Sequence, residues 1–138
     1  MDTWQEKIAQ LLQAGLSIRV EKEDRIIFES TEPMLKPLLV CLQQHTAEMV
    51  AATVIDKIVG RAAAYLCVLA NVQQVFTPLA SLAAQEVLDQ AGIPLQAQRL
   101  IPQIMNRDNS GPCPMEQMAN GFSSAEAFYQ ALREKIKV

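Results

Sequence analysis

Three polar segments of this 138-residue chain hold the side chains best suited to chemistry. The first is Asp56-Lys57-Ile58-Val59-Gly60-Arg61, which follows an apolar run. In open α/β sheets ligands collect beyond the carboxyl ends of strands, where helix starts present free N–H groups and partial positive charge. Lys57 would add a full charge for a phosphate or carboxylate, and Gly60 would permit close approach. The second segment runs from Asn106 to Glu116. Arg107, between Asn106 and Asp108, offers a planar fork for an anionic or planar group. Pro114 suits a first helical position, which puts Cys113 at the N-cap and Glu116 third in the helix. A thiol so placed can ionise and act as a nucleophile, although the nearby Glu116 carboxylate opposes the thiolate. The third segment is Ser30-Thr31-Glu32 with Lys36. Glu32 could serve as a general base there, and Thr77, on the same rim, could supply a hydroxyl.

Each feature also has a plain structural use. Asp56 can be only a helix cap, Lys57 only solvated, and Ala62-Ala63-Ala64 only a close-packed helix face. Ser30 and Thr31 suit a helix start, and Thr77-Pro78 suits the end of a strand. Cys113 can be a small anchor in a rigid loop. Cys41 and Cys67 fall in apolar helical stripes and read as core.

The elements that must carry these residues follow from periodicity. Trp4, Ile8, Leu11 and Leu12 mark a helix over 2–14, closed by Gly15. Leu16, Ile18 and Val20, then Ile26 and Phe28, alternate about the charged run 21–25, an antiparallel hairpin. Pro37 fixes the start of a helix near Lys36 that runs to about His45. Residues 49–55 form a nearly unbroken apolar run, a central strand, after which Asp56 caps a helix over 57–70. A strand over 72–77, a helix over 79–91 closed by Gly92, and an edge strand from Pro94 follow. A polar loop over 106–114 leads to a short helix. Ser123-Ser124-Ala125-Glu126 then reads as a capping box for a last helix with Phe128, Leu132 and Ile136 on its stripe. These add up to one α/β domain over 1–138, a three-layer α/β/α arrangement around a five-stranded mixed sheet.

Composition narrows the function. Half the residues are apolar, a fifth are charged, and the net charge is −3 without a basic stripe, so a nucleic-acid partner is not expected. No apolar run approaches the roughly 18 residues of a membrane span, and the polar N-terminus is unlike a signal peptide. Three widely spaced cysteines favour free thiols and a cytoplasmic location.

The segments Phe28-Glu29-Ser30, Lys36-Pro37-Leu38-Leu39, Asp56 through Ala64, and Asn106-Arg107-Asp108 through Gly111-Pro112-Cys113-Pro114-Met115-Glu116 together resemble a small prokaryotic family. That family is domain of unknown function 1893, and the resemblance covers nearly the whole chain. It implies a cytidine deaminase-like fold and no settled activity. Zinc deaminases need a His or Cys two residues before a Glu, and Pro-Cys-x-x-Cys at the next helix start. Neither set is present, because the matching positions hold Ser30, Glu32, Asp56 and Gly60, and His45 is the sole histidine. Neither a metal nor another cofactor is expected. The reading is a zinc-free domain that binds a small polar ligand, nucleotide-like or anionic, where the three segments meet. The alternatives are a transferase or hydrolase using Cys113 as nucleophile, and a non-enzymatic interaction module. The chain is also a candidate homo-oligomer.

Overall fold

A computed structural model describes residues 3–106 and 108–136. Helix α1 (Trp4–Gln13) starts at Thr3, whose hydroxyl accepts the Glu6 N–H at 3.2 Å. Gly15, at φ +69°, turns the chain out of the helix. Strands β1 (Ile18–Lys22) and β2 (Arg25–Ser30) pair antiparallel across Glu23 and Asp24, both in left-handed backbone. Helix α2 (Lys36–Gln44) begins where Pro37 requires. A short turn of helix, α3 (Thr46–Met49), leads to β3 (Thr53–Asp56). Then come α4 (Arg61–Ala70), β4 (Gln74–Thr77), β5 (Ala80–Ser81), α5 (Leu82–Gln90), β6 (Leu95–Ala97) and β7 (Leu100–Ile101). Helices α6 (Pro114–Asn120) and α7 (Ala125–Lys135) complete the fold.

The main sheet has the order β2-β1-β3-β4-β6. Its hairpin half is antiparallel, and β3, β4 and β6 run parallel. Alternation decides which layer each central residue meets. Val54 and Val75 join the larger core with Leu38, Leu66 and Phe128, whereas Ile55 and Phe76 pack on Ile8 and Leu11 of α1. Both faces are therefore covered, which is why consecutive residues at the middle of each central strand, Val54-Ile55 and Val75-Phe76, are apolar. The α/β/α architecture and the five-stranded mixed sheet are as the sequence implies.

Several boundaries differ, each for a physical reason. The apolar run 49–55 is strand only from Thr53. Met49 is fully buried at the end of α3, and Ala51 turns through φ +64° while its N–H donates to the Asn71 carbonyl. Asp56 does not cap a helix starting at 57. The chain stays non-helical to Gly60, because the Lys57 N–H donates to the Ser17 carbonyl and Val59 forms a bridge with Ala80. The helix expected from Leu79 starts at Leu82, since Ala80 and Ser81 pair with Leu100 and Ile101 in a second small parallel sheet. At the last helix the cap is Ser124, whose Oγ accepts the Ala127 N–H, while Glu126 accepts from Gln130 instead of closing a box.

The tail is fastened over α4. Phe128 and Leu132 are fully buried, the Phe128 ring lies 5.6 Å from that of Tyr65, and the Tyr65 hydroxyl donates to the Phe122 carbonyl at 2.6 Å. This contact sets α6 beside the first turn of α4.

Candidate functional site

A cleft of about 780 Å³ opens where the carboxyl end of β3 meets the tail. One wall is Gly15-Leu16-Ser17 with Thr31 and Pro33-Met34-Leu35. Its floor is Asp56-Lys57-Ile58, Gly60 and the first turn of α4 at Ala62 and Ala63. The far wall is Ile104-Met105-Asn106, Asp108 and Cys113 through Glu116. Apolar side chains and small residues dominate, with a few polar groups set among them, the usual make-up of a small-molecule site.

Glu116 is the least expected of these groups. It is 7% exposed, and its two carboxylate oxygens accept the N–H groups of Arg61 (2.6 Å) and Ala62 (2.9 Å). It thus caps α4 from 55 residues away in sequence. Gly60, at the N-cap, has extended backbone, so its requirement is space: a Cβ there would collide with the Glu116 carboxylate. The anion that the helix start attracts is supplied by the chain itself.

Asp56 ends β3 on the cleft floor. The residue as a whole is only partly buried, yet its carboxyl is shut off from water, and that burial pushes the pKa up to about 7 against the amides of Ile58 and Lys57, which pull it down. The Ile58 contact is long, at 3.5 Å. Lys57 is exposed. Asn106, Asp108 and Ser110 tie the tail loop together: Ser110 N–H and Oγ bond to the Asp108 carboxylate, and Ser110 N–H also reaches Asn106 Oδ1. Those bonds hold the exposed Asp108 carboxyl below its ordinary pKa. Cys113 is half-buried at the N-cap of α6, with Pro114 in the first turn and Glu116 third, as the spacing requires. Its N–H donates to the Ile104 carbonyl.

Asp56, Lys57, Gly60, Asn106, Asp108, Cys113 and Glu116 therefore share one cavity. Ser30, Glu32, Lys36 and Thr77 do not line it. Ser30 Oγ accepts the Glu32 N–H, and Glu32 and Lys36 are exposed. The Thr77 hydroxyl is spent on its own turn, donating to the Leu79 carbonyl and accepting the Leu79 N–H. Arg107 lies outside the described residues.

The family model for a domain of unknown function, DUF1893 (TM1506), matches residues 7–136. The chain belongs to this family. A crystal structure of a DUF1893 family protein (TM1506) from Thermotoga maritima resembles it with a TM-score of 0.86 at 22% identity, over 96% of this chain and 88% of that one. RibD of Acinetobacter baumannii resembles it with a TM-score of 0.51 at 17% identity, over 94% of this chain and 38% of RibD. At such identities the likeness concerns the fold, which is cytidine deaminase-like. No curated protein matches.

Zinc does not fit the side chains that this DUF1893 member places at the starts of its helices α2 and α4. The start of α2 presents Leu35, Lys36 and Pro37, and that of α4 presents Gly60, Arg61 and Ala62, with no sulfur or imidazole. His45 pairs with Glu48 at 2.8 Å and lies against the Phe28 ring. Among the described residues no three His, Cys, Asp or Glu side chains gather to hold a metal ion. Sequence reasoning missed the Gly15–Ser17 wall, where Ser17 Oγ donates to the Ser30 and Glu32 carbonyls. It also missed the capping role of Glu116. The one available signal was a helix start with glycine and no Ser, Thr, Asp or Asn within capping reach.

Proposed function

We propose that this domain binds a small polar, nucleotide-like ligand in the cleft between the Gly15–Ser17 and 31–35 wall, the end of β3, and the tail loop. The observation that carries the reading is a single cavity of about 780 Å³ that gathers residues from all three polar segments. Its volume lies in the range of cavities that hold a small molecule. Its floor offers a partly buried carboxyl in Asp56, while the Asn106 amide on the far wall already bonds to Ser110 through Nδ2 and Oδ1. Two of the helix-start amides that would draw a phosphate, those of Arg61 and Ala62, are occupied by Glu116, so a base-like part with a donor for Asp56 is better served here than a phosphate.

A thermal-shift screen of nucleobases, nucleosides, nucleotides and sugar phosphates tests this. A probe at a hundred times its Kd adds about 2.7 kcal/mol, a shift on the order of 5–10 °C in a domain of this size. Amide chemical-shift changes on titrating a hit should cluster at Leu16, Lys57 and Asn106 and spare the β6 edge. A screen without a stabilising probe, or changes remote from the cleft, would reject the reading.

One observation favours a second reading, a cysteine-dependent enzyme. Cys113 lines the cleft, whereas Cys41 and Cys67 are buried in the core. This reading requires Cys113 to react with iodoacetamide near pH 7 well above the rate of an ordinary thiol, and an ordinary rate removes it.

A further inference from the structure

The mouth of the cleft is unusually apolar for a site with an acidic floor. Met34, Ile58 and Met105 line the cavity and remain 61%, 45% and 36% exposed, each from a different segment. Met34 holds φ +71°, a backbone region that side-chain-bearing residues rarely adopt. Water is a poor neighbour for three such groups, and an apolar portion of a ligand is a better one.

Within the cleft the carboxylates differ in what they have left to give. Glu116 is committed to the two α4 amides and Asp108 to Ser110. Asp56 receives only backbone amides, that of Ile58 at 3.5 Å, although an ionised carboxylate can accept about four hydrogen bonds. Of the described cavity residues, Lys57 alone is cationic, and it is exposed. An anionic head placed on this floor would face Asp56 and Glu116, with the Arg61 and Ala62 amides of α4 already taken. A donor-bearing head would complete the Asp56 carboxylate.

From this geometry we infer that the cleft selects an amphiphilic amine or amidine, its cationic head on Asp56 and its apolar body against Met34, Ile58 and Met105. This rests on the reading above that the cleft binds a small molecule, and assigns that molecule a cationic head in place of a nucleotide-like one. Binding is then linked to pH. The titratable side chains that share the cleft with Asp56 are Lys57, Asp108, Glu116 and Cys113, and Cys67 behind it is close enough to feel its charge. With its pKa near 7, Asp56 must lose its proton to solvent before it can pair with a cation at acid pH, so affinity rises as pH climbs through neutrality.

Benzamidine, benzamide and benzoate share a ring and differ in head charge, and they make the test. Titration by NMR at pH 8 should give benzamidine about tenfold tighter than benzamide, with benzoate weakest. Benzamidine should weaken about tenfold between pH 8 and pH 6. Asp56→Asn should abolish both the preference and the pH effect, and should leave benzamide binding in place. If that variant does not fold, the wild-type pH series and the amide shifts at Lys57 and Ile58 decide alone. Benzoate equal to benzamidine, a preference that survives Asp56→Asn, or a flat pH series would overturn the inference. Failure of all three probes while a nucleoside binds in the cleft would reject this ligand class and keep the ligand-binding reading. Failure of every probe would reject both.

Discussion

Asp56 is the residue on which stability and binding pull in different directions. Its carboxyl is pushed from 3.8 up to about 7 by the protein around it. Between those values the folded protein holds a proton that the unfolded chain has released. The folded state is therefore favoured at acid pH, and that advantage is lost progressively as pH rises from about 4 to 7. Asp56→Asn should remove this slope: its melting temperature relative to wild type should rise from pH 4 to pH 8. A constant difference across that range would show that the carboxyl is not perturbed. A charge kept at such a cost on a cavity floor is a common mark of a functional group. Asp56 could be singled out from sequence because it follows an apolar strand. Its expected duty as a helix cap was wrong, since the Lys57 and Val59 amides before the helix donate to the carbonyls of Ser17 and Leu79, distant in sequence.

At the scale of elements, the joint between α4 and α6 is the feature with the clearest energetic consequence. Two charge-assisted hydrogen bonds join Glu116 to the amides of Arg61 and Ala62, and such bonds contribute about 1.5–3 kcal/mol each. Glu116→Gln should cost on the order of 1–3 kcal/mol by urea unfolding, because an amide NH₂ would face one of the two N–H donors. Gly60→Ala should cost a similar amount by displacing the carboxylate. In a Glu116→Ala background the Gly60→Ala change should be nearly neutral, since the group it displaces is already gone. Additive costs would mean that Gly60 is constrained by something other than Glu116. The N-cap position of Cys113 and the third place of Glu116 were readable from Pro114 alone. What Glu116 would cap was not, because no local pattern records a partner 55 residues away.

Across the whole molecule, the sheet was legible because its signals are local. Ile18 and Val20 alternate, Val54-Ile55 and Val75-Phe76 are apolar on both faces, and Gly15 and Gly92 close their helices at positive φ. The β5–β7 sheet was not legible, since two-residue strands at Ala80-Ser81 and Leu100-Ile101 leave no periodicity to detect. The cleft was legible as three polar segments, but only the fold shows that Ser30, Glu32, Lys36 and Thr77 stay out of it. The thiols report on the same whole. Burial pushes Cys41 up to about 12 and Cys67 upward as well, so iodoacetamide should label neither until the domain unfolds in urea. Labelling of either in native buffer would reveal opening of the core. The cap supplied by Glu116 carries a further consequence, for synthesis. A chain made from its N-terminus at about 5–20 residues per second places Glu116 roughly 3–11 s after Arg61. Through that interval the first helix amides of α4 have water as their partner, and the start of that helix is finished only by a residue made 55 positions later.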